Sequence, residues 1–292
     1  MAVIDGNLGL LLGDSEAKAK TQRQRLPIAV VLAALYLLVL LVAVIYPSLL
    51  ARDQPLAINT TQTFLGPSLH HLFGTDQSGR DVFSRVIYGA RSSLSIGVAA
   101  TALALAAGSA LGLLAGLGGR FLDVVIGRVL DVLFAFPGIL LALLFIVILG
   151  ANVTTLILAV GLGTVPGYAR MIRGQVISVR DAPFVEAAAV LGHTRWRVIT
   201  RTIFPNAMRP LVVLATLGVG QSIVFASSLS FLGLGTAPPA PEWGAMLSAG
   251  RDYVATAWWL EFFPGAVIVL FTLATTALGR HLQRHFEGKD AA

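Results

Sequence analysis

Side chains that could do chemistry are few in this 292-residue sequence, and they gather in a few places. The longest polar stretch of the second half is Arg180–Pro210, RDAPFVEAAAVLGHTRWRVITRTIFPNAMRP. There Arg180, Arg195, Arg197, Arg201, Arg209 and His193 meet only Asp181 and Glu186. A second stretch holds Gly74, Asp76, Gly79, Arg80, Asp81 and Arg85, whose acids and arginines are close enough in sequence to form ion pairs. Its oxygens are too few, and lack the loop spacing, for a calcium site. A third stretch is Pro238–Gly244, PPAPEWG, containing Pro239, Trp243 and Gly244. His281 and His285 stand four apart, and no metal is assigned to them.

Several chemistries are excluded. The absence of cysteine removes disulfides, thiolate zinc sites and iron–sulfur clusters. Ser222, Ser227 and Ser228 lie in an apolar run, but no histidine falls inside any such run, so a buried Ser–His pair is unsupported. No phosphate loop occurs, since Gly288-Lys289 is followed by Asp290. Nucleotide must bind elsewhere. No catalytic, cofactor-binding or metal-ligating residue is therefore expected in this chain.

The basic stretch has its own local logic. Pro183 suits a first helical turn, and Glu186, Ala187, Ala188 and the residues to Leu191 are helix formers. Gly192 can end that helix in the left-handed conformation. A second helix is expected from Thr194 to about Phe204, stopped by Pro205, which lacks an N–H. Helix, glycine turn and basic helix make a compact knob suited to a groove on another protein.

The elements that carry these stretches are set by the bilayer. Charged residues are only 12% of the chain, against about 25% in soluble domains. Mean hydropathy is +0.80. Six spans are expected: Leu26–Tyr46, Leu94–Leu117, Val129–Leu149, Val153–Met171, Leu211–Leu234 and Phe262–Leu278, the last lengthened by Trp258-Trp259-Leu260. Gly108, Gly112 and Gly116 line one face of the second span and favour close helix packing. Gly118–Arg128 reads as a turn, and Asp131 is placed to pair with Arg128. Gly161, Gly163, Pro166 and Gly167 weaken the fourth span, where they could line a pathway or make a packing kink.

Six spans put both ends on one side, and basic residues choose the side. The far side holds only Arg52, Arg80, Arg85, Arg91 and Arg251 of the 21 lysines and arginines. Both termini and the basic stretch are therefore cytoplasmic. The same bias accounts for a net charge of +6 without nucleic acid as partner. The expected organisation is a cytoplasmic tail over 1–25, a first span and outer loop over 26–91, a five-helix core over 92–279 holding a cytoplasmic loop over 173–210, and a cytoplasmic tail over 280–292. A retained first span and no signal cleavage site make this a multi-pass membrane protein in contact with lipid.

Glu186-Ala187-Ala188, then Gly192, then Ile203-Phe204-Pro205 resembles the EAA loop of ABC-importer permeases. His71–Asp76 with Gly79–Arg85 and Tyr88–Arg91 resembles the segment before span 2 in C-type permeases of dipeptide, oligopeptide and nickel importers. Ser230–Gly235 with Pro238-Pro239 and Pro241–Gly244 resembles their last outer loop. The resemblance covers roughly Leu69 to Leu278 and implies an all-α, type I importer permease fold in a bacterial plasma membrane. It implies a B-type permease as heterodimer partner, two P-loop ATPase subunits carrying ATP and Mg, and an extracytoplasmic solute-binding protein. In that reading Glu186, Ala187, Ala188, Gly192, Arg195, Arg197 and Pro205 serve ATPase coupling. Glu186 would cap its helix or pair with an arginine, and Arg195 and Arg197 would meet acidic ATPase residues. Peptides are the expected solute and nickel the alternative. An ion-coupled secondary transporter would need midplane ionisable residues, and none clearly lies there.

Overall fold

The computed structural model describes residues 27–286. The expected terminal tails, apart from 280–286, and Leu26 at the expected start of span 1 lie outside the described residues. Among those described, every regular element is helical, and one isolated bridge joins Thr75 to Asp81. Five helices are long and apolar enough to cross a membrane: α1 (Ile28–Ile45), α2 (Val82–Leu117), α5 (Val153–Arg180), α9 (Leu211–Phe231) and α11 (Trp259–Phe286). A bent pair, α3 (Gly119–Ala135) and α4 (Gly138–Leu149), at 86° to one another, is apolar enough when taken together to make a sixth, broken crossing or a re-entrant loop. Between the crossings lie α6 (Pro183–Val190), α7 (Arg195–Val198), α8 (Phe204–Met208) and α10 (Trp243–Gly250).

The third span is thus not the single helix expected. Pro137 lacks an N–H and drives the preceding Phe136 into an extended conformation, with φ −83° and ψ 130°. The helix must stop there and restart. The expected turn Gly118–Arg128 also contracts to Gly118-Gly119, where Gly119 takes φ +80°, and the rest is helical. Asp131 pairs across to α5, not along α3: Arg170 Nη2 donates to its Oδ1 at 3.0 Å. The Arg170 guanidinium also sits over the Phe134 ring, 4.4 Å from its centre.

Three crossings outrun their expected bounds. At ~1.5 Å per residue α2 is about 54 Å long, well beyond a ~30 Å hydrocarbon core. The excess lets its first turns, with Arg85 and Arg91, extend beyond the hydrocarbon. Similarly, α5 continues nine residues past Met171 into the basic loop, and α11 runs past Leu278 to Phe286. Helix α5 accommodates Pro166 without breaking.

In lipid, apolar burial drives helices together only weakly, so close contact and internal hydrogen bonds decide the packing. Helices α2 and α5 pack along most of their lengths on the glycine face foreseen above. A Cβ on Gly108 would lie 2.7 Å from Tyr168, one on Gly112 2.8 Å from the Ala169 carbonyl, and one on Gly116 2.6 Å from Val176. Two apolar clusters bracket this contact. One joins Ile96 and Ala100 to Ala142, Leu156, Val160 and Leu229, near the start of α5. The other joins Ile172 and Val176 to Val185, Val198, Ile203 and Ala207, and so seats the basic loop on the end of α5.

Candidate functional site

The basic loop, expected on the cytoplasmic side, is the first part of the site. Ala182 is extended ahead of Pro183, as a residue before proline should be, and α6 begins at that proline. The helix ends where Gly192 takes φ +80°. Gly192 N donates to Ala189 O at 3.0 Å and His193 N to Ala188 O at 3.3 Å, the paired bonds of a Schellman end. Nothing lies within 4 Å of a Cβ built on Gly192, so the backbone conformation, not space, calls for glycine. Thr194 caps the next helix by accepting from Arg197 N.

Pro205 does not end that helix. The chain passes through a π-helical turn, Ile199–Ile203, and Pro205 falls in the first turn of α8, which runs to Met208. There a proline needs no N–H partner, so the shift of register absorbs it. Glu186 also departs from expectation. It neither caps α6 nor pairs with an arginine among the described residues. It is the fourth residue of α6, one too far along to reach back to the residue before the helix.

The knob is held from below and bare above. Val185, Val198 and Ile203 are buried against α5, while Glu186, Ala187, Gly192, Arg195, Arg197 and Pro205 are exposed and Ala188 is half-buried. Leu191 and Trp196 are 77% and 75% exposed, so an apolar patch stands among the arginines. At the root, Arg180 donates to the Gly116 carbonyl at 2.9 Å and to Asp181 at 2.8 Å. The guanidinium beside it holds the Asp181 carboxyl below its ordinary range.

On the outer side the two remaining motifs interlock. Asp76 Oδ1 accepts from Ser78 N at 2.8 Å and Arg80 N at 3.0 Å, and its Oδ2 meets Arg80 Nε at 2.7 Å. Asp81 caps α2 by accepting from Ser84 N at 2.7 Å and bonds His71 Nδ1 at 2.9 Å. Gly74 and Gly79 have positive φ, and a Cβ on Gly79 would overlap the Asn59 carbonyl. Arg85 joins the motifs, lying 3.7 Å from Asp76 and donating to Pro55 O at 3.1 Å and Pro239 O at 3.3 Å. Trp243 is fully buried and donates from its ring to Val86 O at 2.9 Å. Gly244 packs on Ser227, where a Cβ would be 2.7 Å from the Cα.

Glu242, absent from the expected site residues, organises this second loop. It is 1% exposed and caps α10, accepting from Gly244 N and Ala245 N at 2.8 Å each. Ser93 of α2 bridges to it, donating to Glu242 and accepting from Trp243 N at 3.0 Å. An acid just before a helical start, in Pro-Glu-Trp-Gly-Ala, was the available signal. The Ser93 partner, about 150 residues away, had none.

A cavity of about 550 Å³ opens where α3 bends into α4. Phe136, Pro137, Gly163, Thr164, Pro166, Gln221, Ser222 and Phe225 are among its walls, and no charged side chain lines it. The weakened half of the fourth span thus faces an opening. Ser222 bonds Thr101 at 2.9 Å.

Comparison with known proteins agrees with this architecture. Residues 108–289 match the family model described as binding-protein-dependent transport system inner membrane component. The dipeptide transport system permease protein DppC of Alkalihalophilus pseudofirmus is 40% identical over 250 residues, covering 86% of this chain and 82% of the relative. The glutathione transport system permease protein GsiD of Escherichia coli is 40% identical over 258 residues, covering 88% and 85%. Among solved structures, the inward-facing MetNI methionine ABC transporter aligns with a TM-score of 0.57 at 17% identity, over 68% of this chain and 95% of that one. An amino acid ABC transporter crystallised with histidines gives 0.53 at 19% identity, over 70% and 94%. The chain therefore belongs to the binding-protein-dependent transport system inner membrane component family, as a multi-pass inner-membrane permease of an ABC importer.

Proposed function

We propose that this chain is the C-type half of a permease heterodimer that imports peptides, and that its basic loop docks on an ATPase subunit. The observation that carries the docking reading is the bare knob. Buried residues fix its orientation on α5, while Leu191, Trp196, Arg195 and Arg197 point to solvent. A rigid helix pair with an apolar patch and basic rim suits a groove with acidic edges. ATP and Mg would sit on the two partner ATPases, which this chain's lack of a phosphate loop requires. ATP-driven closure of the ATPases shifts the permease pair toward its outward-open state, and α5 carries that bias into the spans.

Peptide as solute rests on the relatives' solutes, a dipeptide and a tripeptide, together with the uncharged cavity walls. A path without charged side chains tolerates varied solute side chains and leaves selection to the solute-binding protein. The test is co-purification with the products of neighbouring genes, then ATPase assay in lipid with and without binding protein. Stimulation by binding protein loaded with peptide is the expected result. Stimulation only by a nickel-loaded binding protein overturns the solute, and purification without any ATPase overturns the docking.

A further inference from the structure

We infer that Asp53, His71 and Asp81 form an outer-face site for a first-row divalent transition ion of the zinc type. The three side chains come from separate stretches: the turn after the first crossing, the loop ahead of the outer motif, and the cap of α2. One donor atom from each lies within 4.8 Å of the others. His71 Nδ1 and Asp81 Oδ1 are 2.9 Å apart. Two ligands at ~2.0–2.2 Å from one tetrahedral zinc ion stand roughly 3.3–3.6 Å apart, so this pair needs to part by only about half an ångström to take an ion in place of its hydrogen bond. Asp53 is exposed, so its side chain is free of packing that would hold it at that distance.

The donors are oriented from behind. Ser84 N occupies Asp81 Oδ2, which presents Oδ1 to His71, and Ser84 Oγ accepts from Asp53 N at 3.3 Å. One serine thus steadies two ligand-bearing segments, as outer-shell hydrogen bonds do in metal sites. The charge count points the same way. Neither Asp53 nor Asp81 is ion-paired with a lysine or arginine among the described residues. Two carboxylates this close repel, and a dication held between them satisfies both. A nitrogen donor favours a transition ion over magnesium or calcium. Bound there, the ion would clip the chain after the first crossing to the start of α2, leaving a coordination position open to solvent.

The experiment uses the importer complex purified on a tag without histidine, stripped with chelator and titrated with zinc chloride. Wild type is compared with Asp53→Asn, which alters an exposed side chain and leaves the His71–Asp81 bond intact, and with His71→Gln. Metal content by mass spectrometry should show one more zinc per copy of this chain in wild type than in either variant. Zinc should raise the unfolding temperature of wild type only, and affinity should fall roughly tenfold or more in Asp53→Asn. Equal zinc content in wild type and Asp53→Asn overturns the site. So does a wild type whose unfolding temperature is indifferent to zinc.

Discussion

Glu242 and Glu186 are both acids in the first turn of a short helix or just before one, yet their circumstances are opposite. Glu242 is enclosed and satisfies two backbone donors and the Ser93 hydroxyl. Removing it strands buried N–H groups, and each costs about 1–3 kcal/mol. Glu242→Ala should therefore lower the unfolding temperature sharply and reduce membrane yield. Glu242→Gln, which keeps one acceptor, should lose less. Glu186 is exposed and makes no side-chain hydrogen bond or ion pair among the described residues, so Glu186→Ala should leave unfolding unchanged while weakening stimulated ATPase activity. A destabilised Glu186→Ala would place its partner inside this chain and count against the docking role. Gly192→Val is argued from the backbone: an L residue in the left-handed region costs roughly 1–2 kcal/mol, more when β-branched. It should detach the ATPase or uncouple it with insertion intact, and unchanged transport would exclude Gly192 from the coupling element.

At the scale of elements, the α2–α5 contact yields a graded test. Gly112→Val should block folding, because the new side chain would displace the Ala169 carbonyl and Ile172. Gly174→Ala lies on the same α5 with nothing within 4 Å, and should be neutral or stabilising by about 0.5–1 kcal/mol. Yield of folded protein in detergent separates the two, and equal yields would refute close packing as the reason for the glycines. This contact was legible in the sequence because its four-residue spacing is a local pattern. So were the crossings, Pro183 at a helix start and Gly192 at a helix end. The 86° bend was only half legible: Pro137 was visible, but how far the chain turns there depends on what α3 meets. It meets α5, through Arg170 to Asp131 and through Arg173, whose Nη2 reaches Asp123 at 2.7 Å. Such pairs join residues about 40 to 50 apart, and sequence proximity suggested Arg128 instead. Likewise π-turn accommodation of Pro205 depends on α8 finding a seat beside α5, which no local rule announces.

For the whole molecule, the basic knob and the cavity are joined by one helix. Helix α5 carries Gly163, Thr164 and Pro166 on the cavity wall near its middle and, at its C-terminal end, Arg180 and the basic loop. If the knob docks on an ATPase, motion imposed on it should be felt at the cavity, whereas an exposed face of α11 away from the cavity should experience no change of solvent access. The chain has no cysteine, so single cysteines can report this without background. Thr164→Cys tests the wall, and Leu270→Cys, at a position 50% exposed on α11 and outside the cavity, serves as the control. In the reconstituted importer, a membrane-impermeant thiol reagent added outside should label Thr164→Cys when non-hydrolysed ATP holds the ATPases closed. Labelling should fall in the nucleotide-free state, while Leu270→Cys stays unlabelled in both. Nucleotide-independent labelling of Thr164→Cys would remove the cavity from the solute path. The bend between α3 and α4 would then be a packing feature alone, and the path would have to be sought on the face shared with the second permease.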